Sequence, residues 1–166
     1  MKKLTKLIAL ILIISFIVPN QATAATAVPK KVYTALNKAV DENGRAIIID
    51  IQGGRMYLFK NKKLKDSFRC VCSDYLDPNK HYFLIRNKDT DTRKYKDGSN
   101  WYDYCVRIDC YEHELKYPVE IHGYARNSKG KVYKSSKKNP FGFAICVKNA
   151  KLIWQYYGDG TAVMSC

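Results

Sequence analysis

Two residues able to do acyl-transfer chemistry stand at the ends of one basic stretch. His122 closes the run VEIHG and Cys146 lies in FGFAICVKN. Between them are Arg126, Lys129, Lys131, Lys134, Lys137, Lys138 and no acid. An imidazole that takes a thiol proton creates a nucleophile for carbonyl carbon, and backbone N–H groups beside it can hold the resulting oxyanion. That chemistry requires the two side chains within hydrogen-bond reach. The same residue types have structural uses. Cys146 also suits a small apolar strand position or one half of a disulfide, and His122 a satisfied histidine at a strand end. The residues themselves leave both readings open.

Other reactive types are less pointed. DCYEHEL gathers Asp109, Glu112, His113 and Glu114, but neighbours on one short loop rarely converge on one ion. We expect no metal site there, and thiol chemistry calls for no cofactor. His81 falls in an expected turn without a visible partner. The six cysteines are Cys70, Cys72, Cys105, Cys110, Cys146 and Cys166. Outside the cytosol an even count suggests disulfides, whose pairing sequence cannot choose. Cys70 and Cys72, two apart, would leave one face of a strand, so we expect them to reach a neighbouring strand more easily than each other. No CxxC occurs, which counts against thioredoxin-like chemistry and zinc ribbons.

The elements that must position these residues follow from pattern. MKKLTKLIALILIISFIVPNQATA has a basic start, an apolar run from Leu7 to Val18 and a small-residue end, so residues 1–24 read as an export signal. The run is too short to span a bilayer, and no other stretch offers a stable span. Residues 25–45 read as an amphipathic helix and linker, with Val32, Leu36, Ala39 and Val40 at helical spacing and a stop at Asn43-Gly44. Residues 46–166 read as one mostly β domain with small helices at its margins. Its opening is a meander: Ile47 to Ile51, a turn at Gly53-Gly54, Met56 to Phe59, a turn over Lys60 to Lys63, then Phe68 to Cys72. Further strands are expected near Tyr82 to Ile85, in WYDYCVRID and in YPVEIHG, with Asn87 to Asn100 and Tyr124 to Asn139 as loops. The chain closes with a helix over Ala150 to Tyr157 and a strand over Thr161 to Met164.

Charge adds a constraint on partners. The chain carries 29 basic and 15 acidic side chains. Loss of the three leader lysines would leave a net charge of +11. Two basic clusters, Lys60 to Lys65 and Arg126 to Lys138, include or adjoin Tyr124 and Tyr133, so stacking plus charge is available to a polyanion. A solvated loop face is the plain alternative.

Three segments, in order, resemble the L,D-transpeptidase catalytic domain of the YkuD type. IIIDIQGGRMYLFKNKKL is similar to that family's first hairpin, VEIHG to the strand presenting its histidine, and NAKLIWQYYGDGTAV to its closing helix and Gly-Thr-x-Val strand. DPNKHYFLI resembles its Thr-Pro-x-Gly-x-Phe turn with the Thr and Gly changed. The resemblance implies an L,D-transpeptidase-like β-sandwich and a cysteine that attacks a peptidoglycan stem peptide, expels a terminal D-amino acid and passes the acyl group to an amine or water. It maps His122 to the base. Counting forward from His122 and back from Asn149-Ala150 puts the usual Ser/Thr-His-Gly-Cys at Pro140-Phe141-Gly142-Phe143, which keeps only the Gly. Cys146-Val147-Lys148 resembles the family's Cys-aliphatic-Arg, displaced along the chain, with Ile145 where a Gly is usual.

Two functions follow as expectations. One is a secreted, wall-associated cysteine acyltransferase using His122 and Cys146, with Gly123, Gly142 and Lys148 on the substrate side. The other is a disulfide-stapled relative without catalysis, binding stem peptides or anionic wall polymers. Cys70, Cys72, Cys105, Cys110 and Cys166 are the candidates for its staples, and nucleic acid is not an expected partner for either.

Overall fold

The computed structural model describes residues 27–39, 44–74, 76–77, 83–110, 119–139, 141–158 and 160–166; the side chains of 83–92, 109 and 110 lie outside it. The leader, the DCYEHEL carboxylates and histidine, His81 and the Asp77-Pro78 turn beyond Asp77 therefore fall outside the described residues. Among the described residues two α-helices, α1 (Lys30–Leu36) and α2 (Val147–Tyr156), accompany nine strands. These are β1 (Arg45–Asp50), β2 (Arg55–Lys60), β3 (Lys63–Arg69), β4 (Val71–Cys72), β5 (Phe83–Asp97), β6 (Asn100–Cys110), β7 (Val119–Gly123), β8 (Gly142–Ile145) and β9 (Ala162–Ser165). They form one sheet in the order β3-β2-β1-β9-β5-β6-β7-β8-β4. Only β1–β9 and β7–β8 run parallel.

The two edge strands of that order, β3 and β4, are consecutive in sequence and separated by Cys70 alone. The sheet must therefore curl until its edges approach. Its inner face encloses the main core: Ile47 and Ile49, Met56 and Leu58, Val106 and Ile108, Val119 and Ile121, Phe143 and Ile145, and Val163. Helix α2 adds Ala150 and Ile153 to that core. The outer face of β1 and β2 carries Ala46, Ile48, Tyr57 and Phe59, and α1 covers it with Val32, Ala35 and Leu36. β1 is thus apolar on successive residues because both its faces are buried. Asp50, at its end, accepts hydrogen bonds from Gly53 N–H (2.7 Å) and Lys31 Nζ (2.6 Å). That carboxylate shapes the first turn and ties α1 to it. The next turn, Asn61-Lys62, has positive φ at both residues (51° and 59°), the geometry a two-residue hairpin requires.

The expected meander β1–β3 is present as antiparallel pairs, and the mostly β class with small marginal helices holds. Several boundaries differ. The span Asn87 to Asn100, expected as loop, is a β5–β6 ribbon turning after Asp97. Residues 93–99 face solvent, which erases the apolar alternation there. The third strand begins at Lys63 and breaks at Cys70. Helix α1 ends at Leu36, short of Asn43-Gly44, and α2 begins at Val147 rather than Ala150. No helix among the described residues is long and apolar enough to cross a membrane.

Candidate functional site

β7 alternates as VEIHG should. Val119 and Ile121 enter the main core, so His122 projects from the other face. There it is fully buried. Tyr102 of β6 sets its ring edge against the imidazole (centroids 5.0 Å, 85°), and Phe141 packs on Tyr102 (5.4 Å). The Tyr102 hydroxyl donates to the Lys138 carbonyl at 3.3 Å. His122 Nδ1 lies 2.9 Å from the Gly123 carbonyl, so Nδ1–H is the donor and Nε2 is left as an acceptor. Nε2 has no hydrogen-bond partner among the described residues. Burial lowers the imidazole pKa to about 4, against the opposing pull of the Gly123 carbonyl. The ring is therefore neutral at neutral pH, and a charged form would need to exist inside an apolar pocket.

A backbone irregularity makes this roof. Tyr104 in β6 has φ 54°, an outlier for a bulky residue. Tyr102 and Cys105, three apart, belong to one outer cluster, whereas Val106 and Ile108 belong to the inner core. A regular strand cannot do this, because successive side chains change face. The left-handed backbone at Tyr104 breaks the alternation there. It also turns the Tyr104 ring onto Trp154 of α2 (5.9 Å).

The basic stretch is held as a built loop. Asn139 is fully buried. Its Oδ1 accepts from Ala125 N–H (2.7 Å), and its Nδ2 donates to the carbonyls of Tyr133 (2.9 Å) and Ser135 (2.8 Å). Ser73 Oγ donates to the Asn139 carbonyl (2.8 Å) and accepts from Gly142 N–H (2.8 Å), fastening the loop to β4 and β8. Arg126 pairs with Asp103 through two hydrogen bonds, 2.7 and 3.0 Å. Over this scaffold lysines stack on rings. Lys94 and Lys96 lie over Trp101 (4.7 and 5.4 Å), Lys131 and Lys138 over Tyr133 (5.9 Å each), and Lys134 over Tyr124 (5.9 Å).

Cys146 is exposed, and its place corrects the strand expectation: it is the N-cap residue of α2, just past β8. It makes no side-chain capping bond. His122 pairs in register with Ala144, so Cys146 lies two residues further along. Among the described residues no thiol stands within hydrogen-bond reach of either imidazole nitrogen. The structure thus places His122 on β7 and Cys146 just past the adjacent parallel β8 without joining them as a dyad. Lys148 is exposed in the first turn of α2. Gly123 and Gly142 are buried and have packing reasons. A Cβ on Gly123 would meet Val147 Cγ2 at 3.0 Å and the Asp103 carbonyl at 3.1 Å. One on Gly142, whose φ is 113°, would meet the Glu120 backbone at 2.7 and 2.8 Å. Cys70, Cys72, Cys146 and Cys166 carry free thiols. Among the described residues no cluster of three or more metal-ligating side chains forms.

Tyr102, Asn139, Ser73 and the left-handed backbone at Tyr104 were not marked by the sequence. Asn139 alone left a trace, as half of an Asn-Pro turn signal.

No protein-family model and no curated protein matches this sequence. Solved structures do. One is a fused Zn-dependent amidase/peptidase/peptidoglycan-binding domain-containing protein from Clostridium acetobutylicum ATCC 824, with TM-score 0.56 and 17% identity, over 84% of this chain and 63% of that one. Another is an L,D-transpeptidase (Yku) from Stackebrandtia nassauensis, with TM-score 0.52 and 7% identity, over 78% of this chain and 59% of that one. The present chain thus spans less than two thirds of either. At these identities the likeness speaks for architecture alone, and the architecture is that of the L,D-transpeptidase (YkuD-type) fold.

Proposed function

We propose that this chain is an exported cell-wall protein that uses an L,D-transpeptidase fold to hold an anionic wall polymer, with thiol acyl transfer silent. The observation that carries the reading is the set of five lysines stacked on Trp101, Tyr124 and Tyr133. None of the five has a carboxylate partner among the described residues. Asp103 is already taken by Arg126. Unpaired ammonium groups interleaved with flat rings suit a chain bearing repeated phosphates or carboxylates on a sugar or polyol backbone. Counterion release supplies affinity and the rings pack against the backbone's apolar stretches. Silence of the acyl chemistry is supported by an enclosed His122 with no thiol partner among the described residues, and by Ile145, fully buried in the core, beside Cys146. The leader and the basic charge of the remainder support export to a polyanionic surface.

The test uses the mature chain on purified cell walls before and after removal of their anionic polymers. Retention on intact walls only, weakening steeply with salt and at least about tenfold on joint Lys94→Glu, Lys96→Glu and Lys131→Glu substitution, is the expected result. In parallel, Cys146 is alkylated across roughly pH 5 to 9 in wild type and His122→Ala, and stem tetrapeptide is supplied with an acceptor amine. Release of a terminal D-amino acid, or fast alkylation that slows in His122→Ala, would overturn the silent site in favour of a cysteine acyltransferase. Equal retention on stripped walls would overturn the polymer.

A further inference from the structure

Cys70 and Cys72 meet where the rolled sheet closes. Cys70 occupies the single residue between β3, which pairs with β2, and β4, which pairs with β8. Its N–H donates to the Gly54 carbonyl (2.9 Å), tying it to the first turn, while Val71 and Cys72 pair with Ala144 and Phe143. Because the backbone leaves one ladder and enters another within this step, the two sulfurs come within 4.0 Å of each other. This corrects the expectation that they would reach other strands before each other. Cys70 is buried and Cys72 half-buried, so Cys72 is the more accessible residue of the two.

We infer that Cys70 and Cys72 form a thiol–disulfide exchange site, with Cys72 as the attacking sulfur, Cys70 as the resolving sulfur and a small accessible disulfide, R–S–S–R, as the substrate. The reaction runs in two displacements. Cys72 thiolate attacks one substrate sulfur; the S–S bond breaks, a Cys72–S–S–R bond forms, and R–S⁻ leaves. R–S⁻ takes the proton of Cys70. The Cys70 thiolate then attacks Cys72 Sγ, the bond to the second R–S⁻ breaks, and that group picks up the proton Cys72 gave to water. Two protein thiols are oxidised to one disulfide, and the substrate disulfide is reduced to two thiols.

Polarity agrees with these roles. The hydrogen bond between the sulfurs favours charge on Cys72, lowering its pKa, and together with burial raises that of Cys70. Closure requires the sulfurs to approach from 4.0 Å to a bond of about 2.0 Å, a change within reach of side-chain rotation. A ring between residues two apart is small and strained, and strained disulfides are the readily reduced ones. The pair is therefore suited to cycling more than to stapling. The pair packs with the inner core, and its chemistry requires none of the stacked lysines.

The test treats the full reduced chain, freed of reductant, with oxidised glutathione, followed by peptide mass mapping. The expected product is the Cys70–Cys72 peptide lighter by two hydrogens, returned to the dithiol by reduced glutathione. Cys70→Ser should trap glutathione on Cys72, and Cys72→Ser should leave Cys70 unmodified. A stable glutathione adduct on Cys72 in wild type would overturn the inference. So would pairing of either cysteine with another, a closed ring that reduced glutathione cannot open, or no reaction at all. The wild-type map needs no variant to fold.

Discussion

The His122 pocket and the Cys70 seam lie on opposite faces of the same curled sheet and treat their reactive atoms in opposite ways. The pocket gives His122 Nε2 complete enclosure and no partner. The seam gives two sulfurs contact with each other and leaves one half open. Reactivity requires both a partner and access, and the pocket has neither while the seam has both. The cause is local backbone. At the pocket the left-handed backbone at Tyr104 accompanies Tyr102 over the imidazole, whereas at the seam a strand ends and another begins within one residue.

The comparison can be broken most severely at Gly142, whose N–H is held by Ser73 and whose carbonyl accepts from Ser73 N–H. Gly142→Ala forces a Cβ onto the Glu120 backbone at a φ that side chains avoid, so both regions should loosen together. A loss of roughly 4 kcal/mol or more is expected in urea unfolding. Tyr102→Ala should strike the pocket alone. It costs about 3–5 kcal/mol as a large buried truncation, and the His122 pKa should rise toward 6.5 in an NMR titration as water enters. Glutathione-driven closure of Cys70–Cys72 should continue in that variant.

The pocket also has a pH signature. His122 titrates at about 4 when folded and near 6.5 when unfolded. Below pH 6.5 the unfolded chain binds the extra proton, so stability is complete above that pH. It falls as pH drops to about 4, by about 3 kcal/mol, and levels off below. His122→Gln should flatten that limb in acid-dependent unfolding; an unchanged limb would falsify the enclosed neutral imidazole. The smallest effect is expected for Asp103→Asn. It leaves the half-exposed Arg126 hydrogen-bonded with less charge, costing about 1 kcal/mol, with reduced salt sensitivity.

The apolar framework was readable because its cause is periodic. Ile47, Ile49, Met56 and Leu58 repeat at the strand period, and the matching outer residues mark a second covered face. Pattern also marked strands in WYDYCVRID and YPVEIHG, and the family resemblance singled out His122 on the second of them. The tip of the β5–β6 ribbon escaped because exposed Arg93, Lys94, Lys96 and Asp97 carry no burial signal. The start of α2 escaped because Cys146, Val147 and Lys148 make a poor helix N-terminus, and the burial of Ala150 and Ile153 outweighs that. Asn139 and Ser73 were invisible for a different reason. Each acts through hydrogen bonds to backbone groups distant in sequence, which no spacing rule encodes. The Cys70–Cys72 contact needed knowledge that the chain changes sheet neighbours between them.

The way the curled sheet ends has a consequence for crowding of the kind that the proposed polymer binding would bring. A strand edge is a template on which another chain can lay down a strand. Here β4 is two residues long, and β3 is lined by Lys63, Lys65, Asp66 and Arg69, all exposed, with an irregular register against β2. One margin is too short to recruit a neighbour and the other repels it. Fibril-like stacking should therefore be disfavoured even when a bound polymer gathers many copies together.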